Sequence, residues 1–497
     1  MLWFALHLSG LPLEAWLAAA PPGERPCAVV ENRRVVQACE RAAAAGVEPG
    51  MSAASAGSLA AGLQLFPRDP AREAAQVERL ALALARFTPH LVLQPDGVLL
   101  EVAASLRLFG GARALWRAVH HTARAAGVLS LRRAAAPTAT AASLLARVEP
   151  PSPTLRKQPL TQRLDALSLP AVIAAWGLEA RLAELLQGVG CRTLGDVRML
   201  PRSGLQRRGA AALLEAAARA HGQAPDPQPW YEPPHHFELG LELLHRADDA
   251  AMLVFATQRL VQPLAGWLAQ QWLAAARLSL RLRHETSVRH AVPDTVLTLA
   301  LGDPTRDAAQ LMLLWRERLQ RTPLPAPVYA LALTLEKAVS HAGHAAPLWR
   351  ERGGSSHGED AHALFDRLAA RLGAERVLRP VLAADHRPEQ AMRLEPLSRD
   401  RPRPVPPPSA APLPPRPAWL LPEAARLAEE PATGRPLYQD TPLTLAGRAE
   451  RIEAGWFDGA PIARDYHWAC TPDHRWLWVY RERRGTQVQW YLHGLFG

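Results

Sequence analysis

The sequence has little lysine, no paired cysteines and no long apolar run. Only Lys157 and Lys337 are lysines among the 57 basic residues, so nearly all of the positive charge is carried by arginine. The four cysteines lie far apart and include neither a Cys-x-x-Cys pair nor a histidine at ligand spacing. This argues against a zinc motif and a disulfide framework, and it is typical of a reducing cytoplasm. No apolar stretch reaches the roughly 18 uncharged residues of a membrane-spanning helix, so we expect no membrane partner.

The charge balance indicates a polyanionic partner. The chain has 57 basic and 47 acidic residues among its 497, which gives a formal net charge of +10 and an isoelectric point near 10.1. Nucleic acid is the first candidate for a protein this basic. An alternative explanation of the arginine content is GC-rich codon usage, which would carry no functional meaning. The length predicts three or four domains of about 150 residues each.

Residues 1–160 alternate strand and helix patterns, which predicts an α+β domain. The first 20 residues are apolar but hold no Lys or Arg before Arg25, so we interpret residues 2–8 as a buried strand rather than a signal peptide. The apolar run 91–102, interrupted by Pro95 and Gly97, predicts one buried strand with a kink or bulge. At that kink, Asp96 is either a metal ligand in a cleft or a turn residue satisfied by nearby backbone.

Residues 161–235 have helical patterns throughout, centred on a hairpin that contains Gly188 and Gly190. A hairpin of this kind exposes backbone N–H groups at the start of its second helix. We expect these groups to receive a nucleic-acid phosphate. Arg192 and four further arginines nearby favour that role. The alternative is a plain αα-hairpin with a glycine turn.

Residues 236–340 show the order strand, helix, strand, strand, helix, strand, which predicts a βαββαβ domain. Leucine and arginine alternate in its second strand. Because strand side chains alternate between faces, Arg277, Arg281 and Arg283 are predicted to share one face. Three arginines on an open sheet face suit a sugar-phosphate backbone, and the alternative is a solvated face without a partner.

The C-terminal part contains a linker and an aromatic module. Residues 401–417 hold nine prolines in 17 positions, which predicts an extended, semi-rigid linker. Residues 418–497 hold six of the 15 tryptophans and four of the six tyrosines. We predict a small β module in which some aromatic side chains form the core. Others, with the apolar C-terminus, would form a surface that docks a partner.

The order of these parts resembles the Y-family translesion DNA polymerases over roughly residues 1–340. The motifs Trp-Leu-Leu-Pro from Trp419, Glu-Ala-Gly-Trp-Phe-Asp-Gly from Glu453 and His-Gly-Leu-Phe-Gly from His493 resemble the tail of ImuB proteins, polymerase-like components of a bacterial damage-induced mutagenesis system. The resemblance implies an α+β, multidomain fold. Its parts would be a degenerate UmuC-like palm and fingers (1–160), a helix-hairpin-helix thumb (161–235), a little finger (236–340), a clamp-motif segment with a Pro-rich linker (341–417) and a C-terminal partner-binding module (418–497).

The positions that match the family's catalytic carboxylates have mostly lost them. Active members hold two magnesium ions with an Asp on the first strand and an Asp-Glu pair later in the palm. The first-strand matches are His7 and Ser9, and the later pair has become Asp96 and Gly97. One carboxylate of three cannot hold two hard cations, and a neutral imidazole is a poor magnesium ligand. The resemblance therefore implies no catalytic residues, no metal and no cofactor.

Triphosphate recognition is lost as well. Where the family has a Tyr and an Arg before a Gly-Val turn, this sequence has Glu40 and Ala43. An anion and a methyl group thus replace a hydroxyl donor and a cation. The family also places a lysine late in the palm, whereas no lysine occurs in residues 1–156.

The implied role is a non-catalytic adaptor at damaged primer-template DNA. It would bind the replication sliding clamp and recruit an error-prone C-family DNA polymerase and the RecA-like accessory protein ImuA. The clamp contact falls on Pro347, Leu348 and Trp349, which keep the end of the family's Gln-Leu-x-Leu-Phe/Trp motif but lack its Gln. The expected partner-binding residues in the C-terminal module are Trp456, Tyr466, Trp478, Leu495 and Phe496.

Two other functional classes stay open on the sequence. An active error-prone translesion polymerase would need a non-standard metal site built from Asp96 and Glu101. A structural interaction protein without DNA contact would leave the hairpin glycines and the strand arginines without a role. In the adaptor interpretation, the protein is cytoplasmic and associates with the nucleoid or the replisome.

Overall fold

The computed structural model describes residues 1–17, 25–152, 154–156, 158–285, 292–341, 357–397, 415–483 and 489–496. The chain forms two compact units, Met1–Arg371 and Leu372–Gly497. Within the described residues, no helix is long and apolar enough to cross a membrane.

The N-terminal region is built on a four-stranded antiparallel sheet with the strand order β5-β6-β1-β7. Alternate residues of β1 point to opposite faces, and both faces are buried. Phe4, Leu6 and Leu8 pack against α4 and α5, while Trp3 and Ala5 pack against α6. His7 continues the second series, which places it on the α6 side. The elements are β1 (Trp3–Leu8), α1 (Leu11–Leu17), β2 (Cys27–Glu31), β3 (Arg34–Ala38), α2 (Glu40–Ala44), α3 (Ala53–Leu59), β4 (Gln64–Pro67), α4 (Pro70–Leu84), β5 (Leu91–Gln94), β6 (Gly97–Glu101), α5 (Ala112–Ala125), β7 (Leu131–Ala136) and α6 (Ala139–Val148).

The apolar run around Asp96 forms two strands, so the prediction of one kinked strand was wrong. β5 and β6 pair antiparallel from Leu91↔Leu100 to Gln94↔Gly97, and Pro95 and Asp96 form the two-residue turn between them. Proline presets the backbone for the first turn position, and Asp followed by Gly is a common turn sequence. A second, three-stranded sheet has the order β3-β2-β4, and its strand β4 was missed in the sequence because it is only four residues long.

Residues 160–220 contain the predicted helices, but residues 221–235 form no helix, so the predicted helical range of 161–235 extended too far. Apolar side chains from these helices form one core cluster with α6 and with one face of the first sheet. The helices are α7 (Leu160–Asp165), α8 (Leu169–Ala175), α9 (Ala180–Gly188), α10 (Leu194–Arg198), α11 (Arg202–Arg207) and α12 (Ala211–Ala220).

The following region has the predicted βαββαβ order, with the strand order β10-β9-β11-β8. Leu278, Leu280 and Leu282 are fully buried beneath its two helices, and the arginines between them are exposed. The alternation predicted for this strand is therefore confirmed. The elements are β8 (Glu238–Ala247), α13 (Ala250–Gln270), β9 (Leu273–His284), β10 (Thr295–Thr305), α14 (Ala308–Leu319) and β11 (Val328–Ser340), followed by α15 (His357–Leu372).

The second unit is a β module, as the sequence predicted. A hairpin of two strands precedes a seven-stranded antiparallel sheet with the order β16-β15-β14-β20-β19-β18-β17. A short 3-10 helix, Ala374–Arg376, precedes the hairpin, and a second one, Pro388–Gln390, lies in the connection between its two strands. The strands are β12 (Leu378–Leu382), β13 (Met392–Pro396), β14 (Trp419–Glu429), β15 (Pro436–Tyr438), β16 (Thr441–Pro442), β17 (Thr444–Ala454), β18 (Ile462–Cys470), β19 (Trp476–Glu482) and β20 (Gln489–Leu495).

Candidate functional site

The turn between β5 and β6 places Asp96 beside the end of the central strand β1. The backbone N–H of Leu8 donates to the carbonyl oxygen of Asp96 at 2.9 Å, which closes the turn onto β1. His7 lies opposite Gly97 in the pairing of β1 with β6. The sheet therefore brings the two degenerate catalytic positions His7 and Asp96 together, as the polymerase resemblance implies.

A guanidinium group completes this site. Arg147, on the last turn of α6, donates through Nε to Oδ2 of Asp96 at 2.9 Å and through Nη2 to Oδ1 at 2.5 Å. Nδ1 of His7 lies 3.2 Å from Oδ2 of the same carboxylate. The arginine thus binds both carboxylate oxygens in the fork geometry that makes such pairs strong and directional.

Two neutral side chains hold the guanidinium in place. Arg147 also donates through Nη2 to Oε1 of Gln94 at 3.1 Å and through Nη1 to the hydroxyl of Ser143. The Ser143 hydroxyl in turn donates to Oε1 of Gln94 at 2.8 Å. We call the five residues His7, Gln94, Asp96, Ser143 and Arg147 the Asp96 cluster.

The Asp96 cluster favours the ionised carboxylate. Burial would raise the pKa of Asp96, but the hydrogen bonds from His7 and Arg147 and their charges outweigh it and hold this pKa well below its ordinary range. The carboxylate keeps its negative charge near neutral pH, and the charge of Arg147 balances it. The site is therefore a closed ion pair rather than an open anionic cleft.

The residues present do not fit a two-magnesium centre. A metal at Asp96 would have to displace the guanidinium that already holds both oxygens. At position 97, where the family has its second carboxylate, a Cβ atom would lie 2.1 Å from the carbonyl oxygen of Leu6. Among the described residues, no group of three or more His, Cys, Asp or Glu side chains is arranged to hold a metal ion.

The other acidic candidate lies at the wrong end of β6. Glu101 is the last residue of that strand, five positions from Asp96, and strands rise about 3.4 Å per residue. Its Oε1 accepts hydrogen bonds from the backbone N–H groups of Leu2 and Ala103, each at 3.2 Å. The non-standard metal site with Glu101 is therefore contradicted by the structure.

The remaining degenerate positions lie outside the cluster. Ser9 is exposed and bonds the carbonyl of Ser130 through its backbone N–H at 3.1 Å. Glu40 and Ala43 are both exposed on the short helix α2.

The thumb hairpin has the predicted turn, but its amide groups are not free. Oδ2 of Asp196 accepts from the backbone N–H groups of Arg192 and Thr193, at 2.8 and 2.9 Å. The same aspartate forms a capping box with Thr193 at the start of α10. The N–H groups of Gly190 and Cys191 donate to carbonyls of α9. The expectation that exposed amides here receive a phosphate was therefore wrong, because the protein's own carboxylate occupies that position.

The arginines of β9 are placed as predicted. Arg277, Arg281 and Arg283 are exposed on the sheet face opposite α13 and α14. Of these, Arg281 has a distant acidic neighbour, with its Nη1 3.9 Å from Oδ2 of Asp294. Val296 and Ala332 lie opposite Arg281 in the neighbouring strands β10 and β11.

The predicted partner-binding residues of the C-terminal module divide into core and surface. Tyr466 and Trp478 are only 1% exposed and stack on each other with ring centroids 4.1 Å apart. They stabilise the sheet from within, which corrects their assignment as contact residues. Leu495 and Phe496 are half-buried, whereas Trp456 is 75% exposed.

Trp456 belongs to a rigid turn that the sequence did not reveal. Residues 455–459, which we call the aromatic loop, expose both Trp456 and Phe457. Oδ2 of Asp458 accepts from Nη2 of the buried Arg387 at 2.5 Å. Gly455 has a φ of +81°, and a Cβ there would lie 2.2 Å from the carbonyl of Ala460, so only glycine fits.

The predicted clamp-binding residues Pro347, Leu348 and Trp349 lie outside the described residues. Arg147, Gln94 and Ser143 were missed in the sequence, although one signal was present. Arg147 is a lone charge four positions after Ser143 on an otherwise apolar, alanine-rich helix, so both lie on one helix face.

Several known proteins are similar to this chain. The sequence profile of the impB/mucB/samB family matches residues 22–147. Protein ImuB, in two strains of Caulobacter vibrioides, is 29% identical over 491 residues, which cover 91% of this chain and 100% of that protein. Among solved structures, the insertion ternary complex of Dbh DNA polymerase is 16% identical with a TM-score of 0.39. DinB from Sulfolobus solfataricus is 15% identical with a TM-score of 0.36, and both alignments cover 67% of this chain and 98% of the other. The family match and the order of elements confirm the predicted fold class.

Proposed function

We propose that this chain, which is ImuB-like over nearly its whole length, is a non-catalytic adaptor in damage-induced mutagenesis. In this role it binds primer-template DNA and the sliding clamp, and it recruits an error-prone C-family polymerase and ImuA. Chemistry at the primer end belongs to the recruited polymerase.

The bidentate Arg147–Asp96 pair is the observation that carries the proposal. Two-metal catalysis needs carboxylates that can each bind hard cations with open positions for the substrate. Here the surviving carboxylate is bound by the chain's own guanidinium, and the backbone of Leu6 leaves no space for a side chain at Gly97. The former catalytic position is then a structural tie between the β5–β6 turn and α6.

Contact with DNA is proposed for the basic surfaces that lie away from this tie. The exposed face of β9 presents Arg277, Arg281 and Arg283 in a line. Arg277 lies four positions before Arg281, whereas Arg281 and Arg283 lie two positions apart, which is about 6.8 Å along the strand. That spacing is similar to the distance between successive phosphates of one DNA strand. Arg192 is exposed at the thumb hairpin and contributes through its side chain.

Recruitment of protein partners is proposed for the C-terminal module. The aromatic loop presents Trp456 and Phe457 on a backbone fixed by Arg387 and Asp458, and rigid exposed aromatic residues are typical binding hot spots. Leu495 and Phe496 supply further apolar surface at the end of β20. Clamp binding through Pro347, Leu348 and Trp349 rests on the sequence alone.

Primer extension tests the proposal directly. The purified full chain and its Asp96→Ala variant are compared with magnesium or manganese on undamaged and abasic templates, with an active Y-family polymerase as the positive control. We expect no extension by either protein, while both bind primer-template DNA with an affinity that falls as salt rises. Extension by the unchanged chain that is lost in Asp96→Ala would overturn the adaptor proposal.

The partner surfaces need pull-down experiments with the purified clamp, C-family polymerase and ImuA. Leu348→Ala with Trp349→Ala should remove clamp binding, and Trp456→Ala with Phe457→Ala should weaken binding of the polymerase or ImuA. Trp272, which is 69% exposed in the other unit, supplies the matched control Trp272→Ala. Equal capture of all partners by all variants would refute these surfaces.

A further inference from the structure

Two of the scattered cysteines meet across the β2–β3 hairpin. Ala28 pairs with Ala38 in the antiparallel register, so the next opposed positions are Cys27 and Cys39. The backbone N–H of Cys39 donates to the carbonyl of Cys27 at 2.9 Å, which confirms that the two residues lie opposite each other. Opposed residues have Cα atoms roughly 4.5–5.5 Å apart, within the range that a disulfide spans. Both are free thiols in this structure.

The sulfur of Cys39 is surrounded by hydrogen-bond donors. It accepts from the backbone N–H of Cys27 at 3.2 Å and from that of Ala42 at 3.5 Å. The backbone N–H of Arg41 and the thiol of Cys27 also donate to it. Burial alone would raise the pKa of Cys39, but these hydrogen bonds outweigh it and lower this pKa below its ordinary value.

Cys27 has the opposite environment. Its side chain is buried, at 6% exposure, and packs with Leu13 and Val29. Burial, together with the hydrogen bond and charge of Cys39, raises the pKa of Cys27 to about 12. The pair therefore combines a partly exposed cysteine whose pKa is lowered with a buried cysteine whose pKa is raised. A nucleophilic cysteine beside a cysteine that resolves it has this division of roles.

We propose that Cys39 and Cys27 form a redox-active pair that reacts with hydroperoxides, with Cys39 as the attacking and Cys27 as the resolving residue. The Cys39 thiolate attacks the terminal oxygen of the hydroperoxide, the O–O bond breaks, and the alcohol or water leaves after protonation. Cys39 is then a sulfenic acid. The Cys27 sulfur attacks the Cys39 sulfur, the S–O bond breaks, and the hydroxide leaves as water with the Cys27 proton. Two thiols and one hydroperoxide thus give one disulfide, one alcohol or water, and one water.

The other two cysteines are poor alternatives. Cys191 is buried in the thumb hairpin, where burial raises its pKa. Cys470 belongs to β18 of the second unit. Neither is opposed to another cysteine, so the pair at the β2–β3 hairpin is the specific prediction. A disulfide there would tie the first residue of β2 to the residue that caps α2.

Peptide mapping of the unchanged full chain is the primary test. The reduced protein is treated with hydrogen peroxide, remaining thiols are alkylated, and peptides are identified by mass spectrometry without reduction. We expect a crosslinked peptide that joins Cys27 and Cys39, while Cys191 and Cys470 are alkylated as before. Oxidation of Cys470 at the same rate as Cys39, or a disulfide between other partners, would overturn the proposal.

Single variants separate the two roles. In Cys27→Ser, the Cys39 sulfenic acid cannot be resolved, so its capture by dimedone should rise at least tenfold over the unchanged chain. In Cys39→Ser, Cys27 should stay reduced, and Cys470→Ser should leave disulfide formation unchanged. Dimedone capture that is equal in the Cys27→Ser variant and the unchanged chain would refute Cys27 as the resolving residue.

Discussion

The guanidinium of Arg147 spans both carboxylate oxygens of Asp96, although 51 positions separate the two residues in the chain. In the adaptor role that we propose, this contact takes the place of a divalent cation beside the carboxylate. Gln94 and Ser143 accept further hydrogen bonds from the same guanidinium. The contact therefore ties the turn between β5 and β6 to the end of α6.

Removal of Arg147 should cost stability rather than activity. In Arg147→Ala, Asp96 loses its bidentate partner. We expect the free energy of unfolding in urea to fall by about 1 kcal/mol, a modest value because solvent screens a half-exposed pair. A double-mutant cycle with Asp96→Ala isolates the pair, and its coupling energy should be of similar size. Arg117→Ala, on the exposed side of α5, is the control and should have little effect. A coupling energy of zero would show that the Arg147–Asp96 pair does not contribute to stability.

The same pair predicts how stability depends on pH. The folded-state pKa of Asp96 lies below its unfolded value, so its contribution is fully present above the unfolded pKa of about 3.9 and is lost as pH falls through the folded pKa. The difference in unfolding free energy between the unchanged chain and Asp96→Asn should be constant from about pH 7 to pH 5. It should shrink only below about pH 4. If the difference in unfolding free energy already disappears near pH 6, a group other than Asp96 causes the pH dependence.

Gly97 should resist restoration of the lost carboxylate. Any side chain at this position places Cβ 2.1 Å from the carbonyl oxygen of Leu6, so the paired strands β1 and β6 must separate. We expect Gly97→Ala to destabilise the protein by about 2–3 kcal/mol, as overpacking in a core does. Gly57 lies in helix α3, where an added Cβ would meet no atom within 4 Å. The control Gly57→Ala should therefore leave stability unchanged or raise it slightly. A double variant His7→Asp with Gly97→Glu should therefore fail to gain polymerase activity.

Local patterns in the sequence predicted the fold where periodicity alone decides it. The alternation of leucine and arginine in β9 sufficed to place Arg277, Arg281 and Arg283 on one face, because strand geometry fixes the alternation. The Asp96 cluster was only half predicted. His7 and Asp96 were found through the resemblance, but Arg147 approaches from a helix far along the chain, and no local pattern encodes that distance. Likewise, Cys27 and Cys39 meet because a turn with positive φ at Asn32 and Arg33 folds β3 back on β2.

The arginines of β9 should each contribute a phosphate contact. Alanine at Arg277, Arg281 or Arg283 should lower the slope of log affinity against log salt by roughly 0.7–0.9 and weaken binding to all DNA sequences equally. Titrations of labelled primer-template DNA at several salt concentrations measure this slope. Arg316, which is exposed on α14 on the other side of the sheet, supplies the control Arg316→Ala. If Arg316→Ala changes the slope as much as the β9 variants do, DNA binding depends on the overall positive charge of the protein and not on specific contacts at the β9 face.

Asp196 should limit DNA binding at the thumb hairpin. Its carboxylate accepts hydrogen bonds from the backbone N–H groups of Arg192 and Thr193, and these bonds lower the pKa of Asp196. The carboxylate also adds a negative charge beside the exposed side chain of Arg192. In Asp196→Ala these amides become available to a phosphate and the repulsion is removed, so affinity for primer-template DNA should rise about threefold at low salt.

The same change removes the capping box of α10, and the melting temperature should fall. Thr193→Ala removes the other half of the capping box but keeps the carboxylate, so it should lower the melting temperature without raising affinity. Unchanged affinity in Asp196→Ala would mean that the hairpin does not touch DNA and that the β9 face carries the contact alone.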